Sequence, residues 1–490
     1  MDYKHLKSGT DIRGYASDLG GKAVELTDKA VYDISAAFVV WCMNKTNTPS
    51  NELKISLGHD SRITADRICN AVKEAFVNAG VTVYETGLSS TPAMFMTTVD
   101  LGCNAAVQIT ASHHPFDRNG LKFFMPTGGL EGKDISEILE LASNEQEAIS
   151  EQKGKVIPTD YMTDYAARLR NMIIKEVNKG DMPLKGYHIV VDAGNGAGGF
   201  YAENVLKALG ADITGSQFLE PDGMFPNHIP NPENKQAMES VCNAVKTSGA
   251  DLGIIFDTDV DRAGAVDKNG KEINRNRLVA LASYIALNGA KDGMVVTDSV
   301  TSDGLKEYIE TVLGGKHYRY RRGYKNVIDK AIELCNTGEN CPLAIETSGH
   351  AALKENYFLD DGAYLVTKIV IELAKGVDFE KILAPLKMPK EELEVRFNIK
   401  APDFKTYGNM VITELEKFAA ANPEYKIADD NREGIRISTK DGWFLLRLSV
   451  HDPVMPMNFE SNVEGGIVND IAALKPFLTQ FTELDIPADF

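Results

Sequence analysis

The chain has 490 residues, 43% of them hydrophobic and 25% charged, with a formal net charge of −18 at pH 7. That composition fills an ordinary core, and the length suggests several domains of about 100–200 residues each. So acidic a surface repels nucleic-acid phosphates and anionic membranes, which argues against both as partners and obliges any anionic substrate to find a locally positive site.

The N-terminal stretch has no apolar run of signal-peptide length, and no window reaches the ~18–20 apolar residues of a membrane span. The six cysteines (42, 69, 103, 242, 335, 341) form no CxxC pair and read as reduced, mostly core thiols of a cytoplasmic protein.

In chain order, the pattern predicts a strand at Lys54–Leu57 and a helix over Ile63–Ala79. A polar stretch, Ser143–Thr159, reads as a linker. A strand at His188–Val191 runs into Asp192, and helices follow over Phe200–Leu209 and Ala237–Ser248. The apolar strand Leu252–Phe256 runs into Asp257. A polar break at Asp267–Asn276 precedes a helix over Leu278–Leu287, then strands at Met294–Val296 and Leu343–Ile345. The Pro- and Lys-rich segment Ala384–Glu392 separates a last region, where Ile435–Ser438 and Trp443–Arg447 flank Asp441-Gly442 as a hairpin. Strand–helix alternation with buried strands implies an α/β fold, with ligands beyond the carboxyl ends of the strands. The reading is three similar α/β domains (1–158, 159–275 and 276–388) and a smaller α+β domain (389–490).

Three clusters carry chemistry. Thr110-Ala-Ser-His-His-Pro115, with Lys122 ten residues beyond Ser112, suits an activated nucleophile or a capped polar loop. No Gly-x-Ser-x-Gly surrounds the serine, so a hydrolase elbow is not supported. Asp257-Thr-Asp-Val-Asp261-Arg262 places three carboxylates at i, i+2 and i+4, able to converge on one hard cation. It is no EF-hand, since Arg262 and Lys268 stand where that loop needs Gly and Glu. An Asp-nucleophile phosphatase also begins with Asp-x-Asp after a strand and stays open as an alternative. Ile345-Glu-Thr-Ser-Gly-His350 offers donors and acceptors for sugar hydroxyls, or a capped loop. The cations at 319, 321, 322 and 325 can supply positive potential or form a solvated face. Gly194–Gly199 lacks the GxGxxG spacing and reads as a tight strand-to-helix turn.

Together, and in order, these segments resemble the α-D-phosphohexomutase superfamily. Ser8–Gly14 is similar to its GTSGIRG element and Gly58–Arg62 to its GxDxR turn. Thr110–Pro115 is similar to the phosphoserine loop TASHNP, Asp257–Arg262 to the metal loop DGDxDR, and Glu346–His350 to the sugar loop GExSGH. Pro226-Asn-His, Pro230-Asn-Pro and Asp192–Gly199 are further family-like segments. The resemblance implies a heart-shaped, four-domain enzyme interconverting hexose 1-phosphate and hexose 6-phosphate through a phosphoserine and a bisphosphorylated sugar.

It also implies roles. Ser112 would hold the phosphoryl group, and Asp257, Asp259, Asp261 and the phosphorylated Ser112 would bind Mg²⁺. Arg13, His113 and Lys122 would assist proton transfer and charge stabilisation, with Arg262 near the phosphoserine. Glu346 and Ser348 would bind sugar hydroxyls, with His350 shaping their loop, and Gly323, Tyr324 and Lys325 fall where a second sugar-selecting loop lies. A small-molecule sugar phosphate is the partner implied, with a hexose bisphosphate as activator, in a monomer or homodimer. The family's distal-phosphate loop, like RPSGTEP, is matched here by Arg447, Ser449 and Pro453. Val450, His451 and Asp452 depart from it, and the usual later arginine is missing. Arg447, Ser449 and His451 are the expected phosphate ligands. A non-catalytic sugar-phosphate sensor is the alternative that this departure suggests.

Overall fold

Short buried strands that run straight into aspartate, threonine or glycine set the architecture. The computed structural model describes residues 1–290, 292–449, 452–488 and 490. The chain divides into two compact units. The first comprises Met1–Asn274, Ser348–Ala352 and Leu359–Phe379; the second comprises Arg275–Thr347, Leu353–Phe358 and Glu380–Phe490.

The first unit holds two sheets. In one, the strands lie in the order Lys7–Ser8, Asp11–Tyr15, Arg118–Met125, Ala105–Ile109, Lys54–His59, Thr82–Leu88, Lys155–Pro158. Lys54–His59 pairs in parallel with both neighbours, whereas Arg118–Met125 is antiparallel to Ala105–Ile109. The loop 110–117 is therefore a reversal at the carboxyl end of a buried parallel strand, where α/β sheets place their ligands. The second sheet runs Glu272–Ile273, Ala263–Asp267, Leu252–Phe256, Ile189–Asp192. Leu252–Phe256 is buried throughout, as a strand covered on both faces must be.

In the second unit, Lys316–Arg319, Gly293–Thr297 and Asn340–Ile345 pair in parallel. A separate antiparallel sheet runs Lys426–Ile427, Ile435–Ser438, Gly442–Leu446, Val454–Ser461, Glu391–Ile399, Leu484–Asp485. It packs a core of Phe397, Phe444, Phe459 and Leu474 against the helices Phe404–Ala420 and Gly466–Leu478. The hairpin closes with Ser438 opposite Trp443. Three α/β sheets with their helices, followed by a C-terminal antiparallel sheet with helices, are the fold class the sequence implied.

Two elements differ from expectation. The segment 143–159 is not all linker, because Lys155–Pro158 adds a parallel strand beside Thr82–Leu88. Its Val156-Ile157 pair has the β-branched character an open sheet edge accepts. Phe200–Leu209 forms wide turns over Tyr201–Leu206 and a 3₁₀ turn over Lys207–Leu209 instead of a regular α-helix. Both sides of it are pinned. A Cβ on Gly199 would meet the Leu219 carbonyl at 2.2 Å, and Tyr201 Oη bonds Thr367 Oγ1 at 2.9 Å. Wider turns fit the same chain between fixed points.

All six cysteines are free, and all but Cys335 are buried. Among the described residues no helix is long and apolar enough to cross a membrane.

Candidate active site

The strand Ala105–Ile109 delivers Thr110, whose Oγ1 accepts the Ser112 amide at 2.9 Å and donates to Asp60 Oδ2 at 2.7 Å. Ser112 sits at φ 50°, a left-handed conformation uncommon outside glycine and enriched where function over-determines the backbone. Its hydroxyl donates to Asp257 Oδ2 at 3.2 Å and accepts from Arg262 Nη2 at 3.1 Å. His113 Nδ1 lies 3.4 Å from that oxygen and accepts a second bond from Arg262 Nη2 at 2.5 Å. Burial and the adjacent Arg262 push the His113 imidazole down to about 2, so it is neutral in the working range.

The loop after Leu252–Phe256 buries Asp257, Asp259 and Asp261 completely or nearly so. One carboxylate oxygen from each lies within 4.8 Å of the others. Asp259 Oδ1 and Asp261 Oδ1 are buried with no hydrogen-bond partner among the described residues. Burial, then Asp261 and Asp259, drive the Asp257 carboxyl well above the usual carboxylate range. Burial also opposes ionisation of Asp261, but Lys122, His350 and Arg262 outweigh it and hold that group low. Orphaned acidic oxygens crowded in one buried spot fit a hard divalent cation.

The loop's shape depends on its surroundings. Val260, β-branched, is held at φ 68°, a strain of about 1–3 kcal/mol. The amide of Gly362 donates to the Val260 carbonyl at 3.1 Å, and that of Ala197 to the Thr258 carbonyl at 2.8 Å. A Cβ on Gly196 would stand 2.5 Å from the Thr258 oxygen. The glycine-rich segment 194–199 is thus a buttress for the acidic loop, and the close approach explains a glycine there.

Lys122 pairs with Asp261 Oδ2 at 2.6 Å and lies 3.7 Å from Asp259 Oδ2. Arg262 spans the site, with Nε 3.2 Å from Asp257 Oδ2 and Nη1 donating to Asn231 Oδ1 at 3.3 Å. His350 bridges to Arg262 through the backbone, and its Nδ1 meets Asp360 Oδ2 at 2.5 Å. Burial disfavours the imidazolium there, yet Asp360 and Asp261 raise its pKa. Arg13 lies opposite Gly120 in the sheet and pairs with Asp11 at 2.6 Å. Ser348 is buried on the loop whose Gly349 carbonyl accepts the Ala263 amide at 3.4 Å.

The remaining expected residues lie in the second unit. Glu346 Oε1 accepts the Gly323 amide at 2.5 Å, joining the two sugar-loop candidates. Tyr324 opens the helix Tyr324–Asn336, and Lys325 pairs with Asp329 at 2.7 Å. Among the described residues, Arg447 Nε is buried without a hydrogen-bond partner. The Ser449 hydroxyl accepts the Asp452 amide at 3.2 Å. Val450 and His451 lie outside the described residues. The expected positive run is partly structural, since Arg319 braces Asp303 and Asp430 at 2.8 and 2.9 Å.

Sequence reasoning missed Thr91, whose Oγ1 donates to Asp259 Oδ2 at 2.5 Å, and Asp360 and Asn231, which hold His350 and Arg262. Only the apolar run before Asp360 and the Pro-Asn-Pro turn hinted at the last two.

A buried hydroxyl set between a guanidinium and a crowded acidic loop, on successive α/β sheets, fits a phosphohexomutase. Family models agree. Those described as phosphoglucomutase/phosphomannomutase α/β/α domains I, II and III match residues 10–149, 161–270 and 274–387. A phosphoglucomutase of Neisseria meningitidis serogroup A is 30% identical over 460 residues, 93% of each chain. A phosphomannomutase/phosphoglucomutase of Pseudomonas putida is 28% identical over 445 residues, 89% of each. A solved Burkholderia thailandensis phosphoglucomutase/phosphomannomutase family protein superposes with TM-score 0.81 at 24% identity, over 99% of this chain and 100% of that one. The chain belongs to the phosphoglucomutase/phosphomannomutase family.

Proposed function

We propose that the chain interconverts hexose 1-phosphate and hexose 6-phosphate, with Ser112 Oγ as the group that accepts and returns the phosphoryl. The observation that carries this reading is the Ser112 hydroxyl itself, buried between Asp257 Oδ2 and Arg262 Nη2. Asp257, Asp259 and Asp261 would hold Mg²⁺, which supplies charge neutralisation to a transferring phosphoryl group.

The chain's own residues do the rest. Arg262 faces the transferring oxygen and neutralises charge on it. Lys122, anchored on Asp261, adds a second buried cation beside the same loop. His113 is neutral, and its Nδ1 is occupied by Arg262, so it orients that guanidinium more than it moves protons. Arg13 adds positive potential near the loop. His350, whose pKa Asp360 and Asp261 raise, is a candidate donor to a sugar hydroxyl. Glu346, Gly323, Tyr324, Lys325 and Ser348 read the sugar, and Arg447 and Ser449 grip the distal phosphate. A hexose bisphosphate forms when Ser112 gives up its phosphoryl group, turns over, and returns the other phosphate to the serine. Neither the phosphatase nor the sensor alternative gains an observation from this geometry.

The test is a panel of glucose, mannose and glucosamine 1-phosphates with Mg²⁺ and a bisphosphate activator, read by phosphorus NMR. At least one should convert to its 6-phosphate. Ser112→Ala should lose about 10³-fold or more of that turnover, as removal of a covalent group does. Full turnover in Ser112→Ala sinks the reading.

A further inference from the structure

Arg62, the last residue of the turn Gly58–Arg62, has no part in the chemistry above, yet it is among the most fully buried large side chains of the molecule. Its guanidinium collects four main-chain carbonyls of the nucleophile loop. Nη1 donates to Pro115 O at 2.6 Å and Arg118 O at 2.8 Å. Nη2 donates to Ser112 O at 2.5 Å and His114 O at 2.6 Å. Nε faces Asp60 Oδ2 at 3.2 Å. Asp60 also accepts Thr110 Oγ1, and Thr110 Oγ1 in turn accepts the Ser112 amide. Both the amide and the carbonyl of Ser112 are thus tied, directly or through one residue, to the Asp60–Arg62 pair.

The other side of the guanidinium is closed by the ring of Phe225, 5.3 Å from its centre. The loop carrying Phe225 approaches closely only because Gly223 has no side chain. A Cβ there would lie 2.4 Å from both Ser61 O and Ile63 N.

A reversal that puts a non-glycine residue at φ 50° turns successive carbonyls toward one side. Left alone in a buried site, those dipoles repel and lack donors. A rigid planar fork with five N–H groups satisfies them together, which a lysine ammonium cannot do with the same geometry.

We propose that Arg62 is a positioning residue for the phosphoryl transfer: it fixes the left-handed backbone of Ser112 and so the aim of Oγ between Asp257 and Arg262. The proposal rests on the reading of Ser112 as the phosphoryl carrier. It assigns Arg62 no contact with substrate or metal, so its loss should strike the transfer step and spare binding.

The variant that isolates this is Arg62→Lys in the full chain, which keeps the buried charge opposite Asp60 and removes the fork. Turnover and the rate of Ser112 phosphorylation by glucose 1,6-bisphosphate should fall on the order of 10²-fold, with substrate KM and Mg²⁺ affinity within about threefold of the parent. Circular dichroism checks that the variant is folded. If Arg62→Lys does not fold, Phe225→Leu removes only the aromatic cap and should give the same split, several-fold in size. Unchanged kcat in the folded variant overturns the proposal. So does a loss of KM or Mg²⁺ affinity that matches the loss of kcat, which would mark a general structural role. Full turnover in Ser112→Ala is a different failure, since it removes the serine from the reaction whatever Arg62 does.

Discussion

The two compact units treat their functional residues differently. In the first, the residues around Ser112 and the acidic loop are buried, and strained backbone is held by bonds from several distant segments. Thr91, Ala197, Gly362 and Arg62 all brace them. In the second, the expected phosphate loop departs from the family's sequence pattern at Val450, His451 and Asp452. On the proposed function, this bracing lies where transition-state charge must be met without reorganisation, and the sequence departure lies where the distal phosphate would be gripped.

The first way to break that contrast is to remove charge from the acidic loop. Asp259→Asn should cut turnover on the order of 10²–10³-fold and weaken Mg²⁺ binding by at least about tenfold. Calorimetry giving parental Mg²⁺ affinity in this variant would remove Asp259 from the metal site.

Next comes the recognition unit. Arg447→Ala should raise KM for the sugar phosphate by about 10–100-fold, the worth of one charge-assisted pair, with a smaller change in kcat. A kcat loss larger than the KM change would move Arg447 from recognition to chemistry and erase the contrast.

The smallest effect concerns stability. Burial pushes the Glu460 carboxyl of the second unit up to about 7, only partly offset by Arg436. The folded state therefore holds this proton between about pH 4.5 and 7 while the unfolded chain has lost it. Its contribution is full below about pH 4.5 and declines as pH rises through 7. Glu460→Gln keeps the neutral form, so it should match the parent near pH 5 and exceed it by about 1–3 kcal/mol near pH 8.5. Urea unfolding at the two pH values measures this, and parallel pH profiles would contradict it.

Much of the candidate site was legible because its residues are local in sequence. Asp257, Asp259 and Asp261 lie within five residues, directly after a strand whose apolar run is unmistakable. Ser112, His113 and Lys122 lie on adjoining segments, and the Asp441-Gly442 turn announced its hairpin. What stayed hidden was support from far away in the chain. Thr91 reaches Asp259 across 168 positions, and Arg62 reaches the nucleophile loop across 50 to 56. No periodicity or spacing encodes such contacts; they exist only once the sheet has brought the strand ends together. The strand Lys155–Pro158 was missed for a related reason, since it is defined by the open edge it joins. The wide turns over Tyr201–Leu206 follow from pinning at Gly199 and Tyr201 that local propensity does not express.

The central claim is that Ser112 passes a phosphoryl group to and from a sugar. Protein treated with glucose 1,6-bisphosphate and Mg²⁺, then freed of ligand, should carry one phosphate on the peptide containing Ser112 by mass spectrometry. Addition of a hexose 1-phosphate substrate should remove that phosphate within a single turnover and return it as hexose bisphosphate, without stoichiometric inorganic phosphate. Phosphate found on Asp257, or inorganic phosphate released at every turnover, would contradict the account.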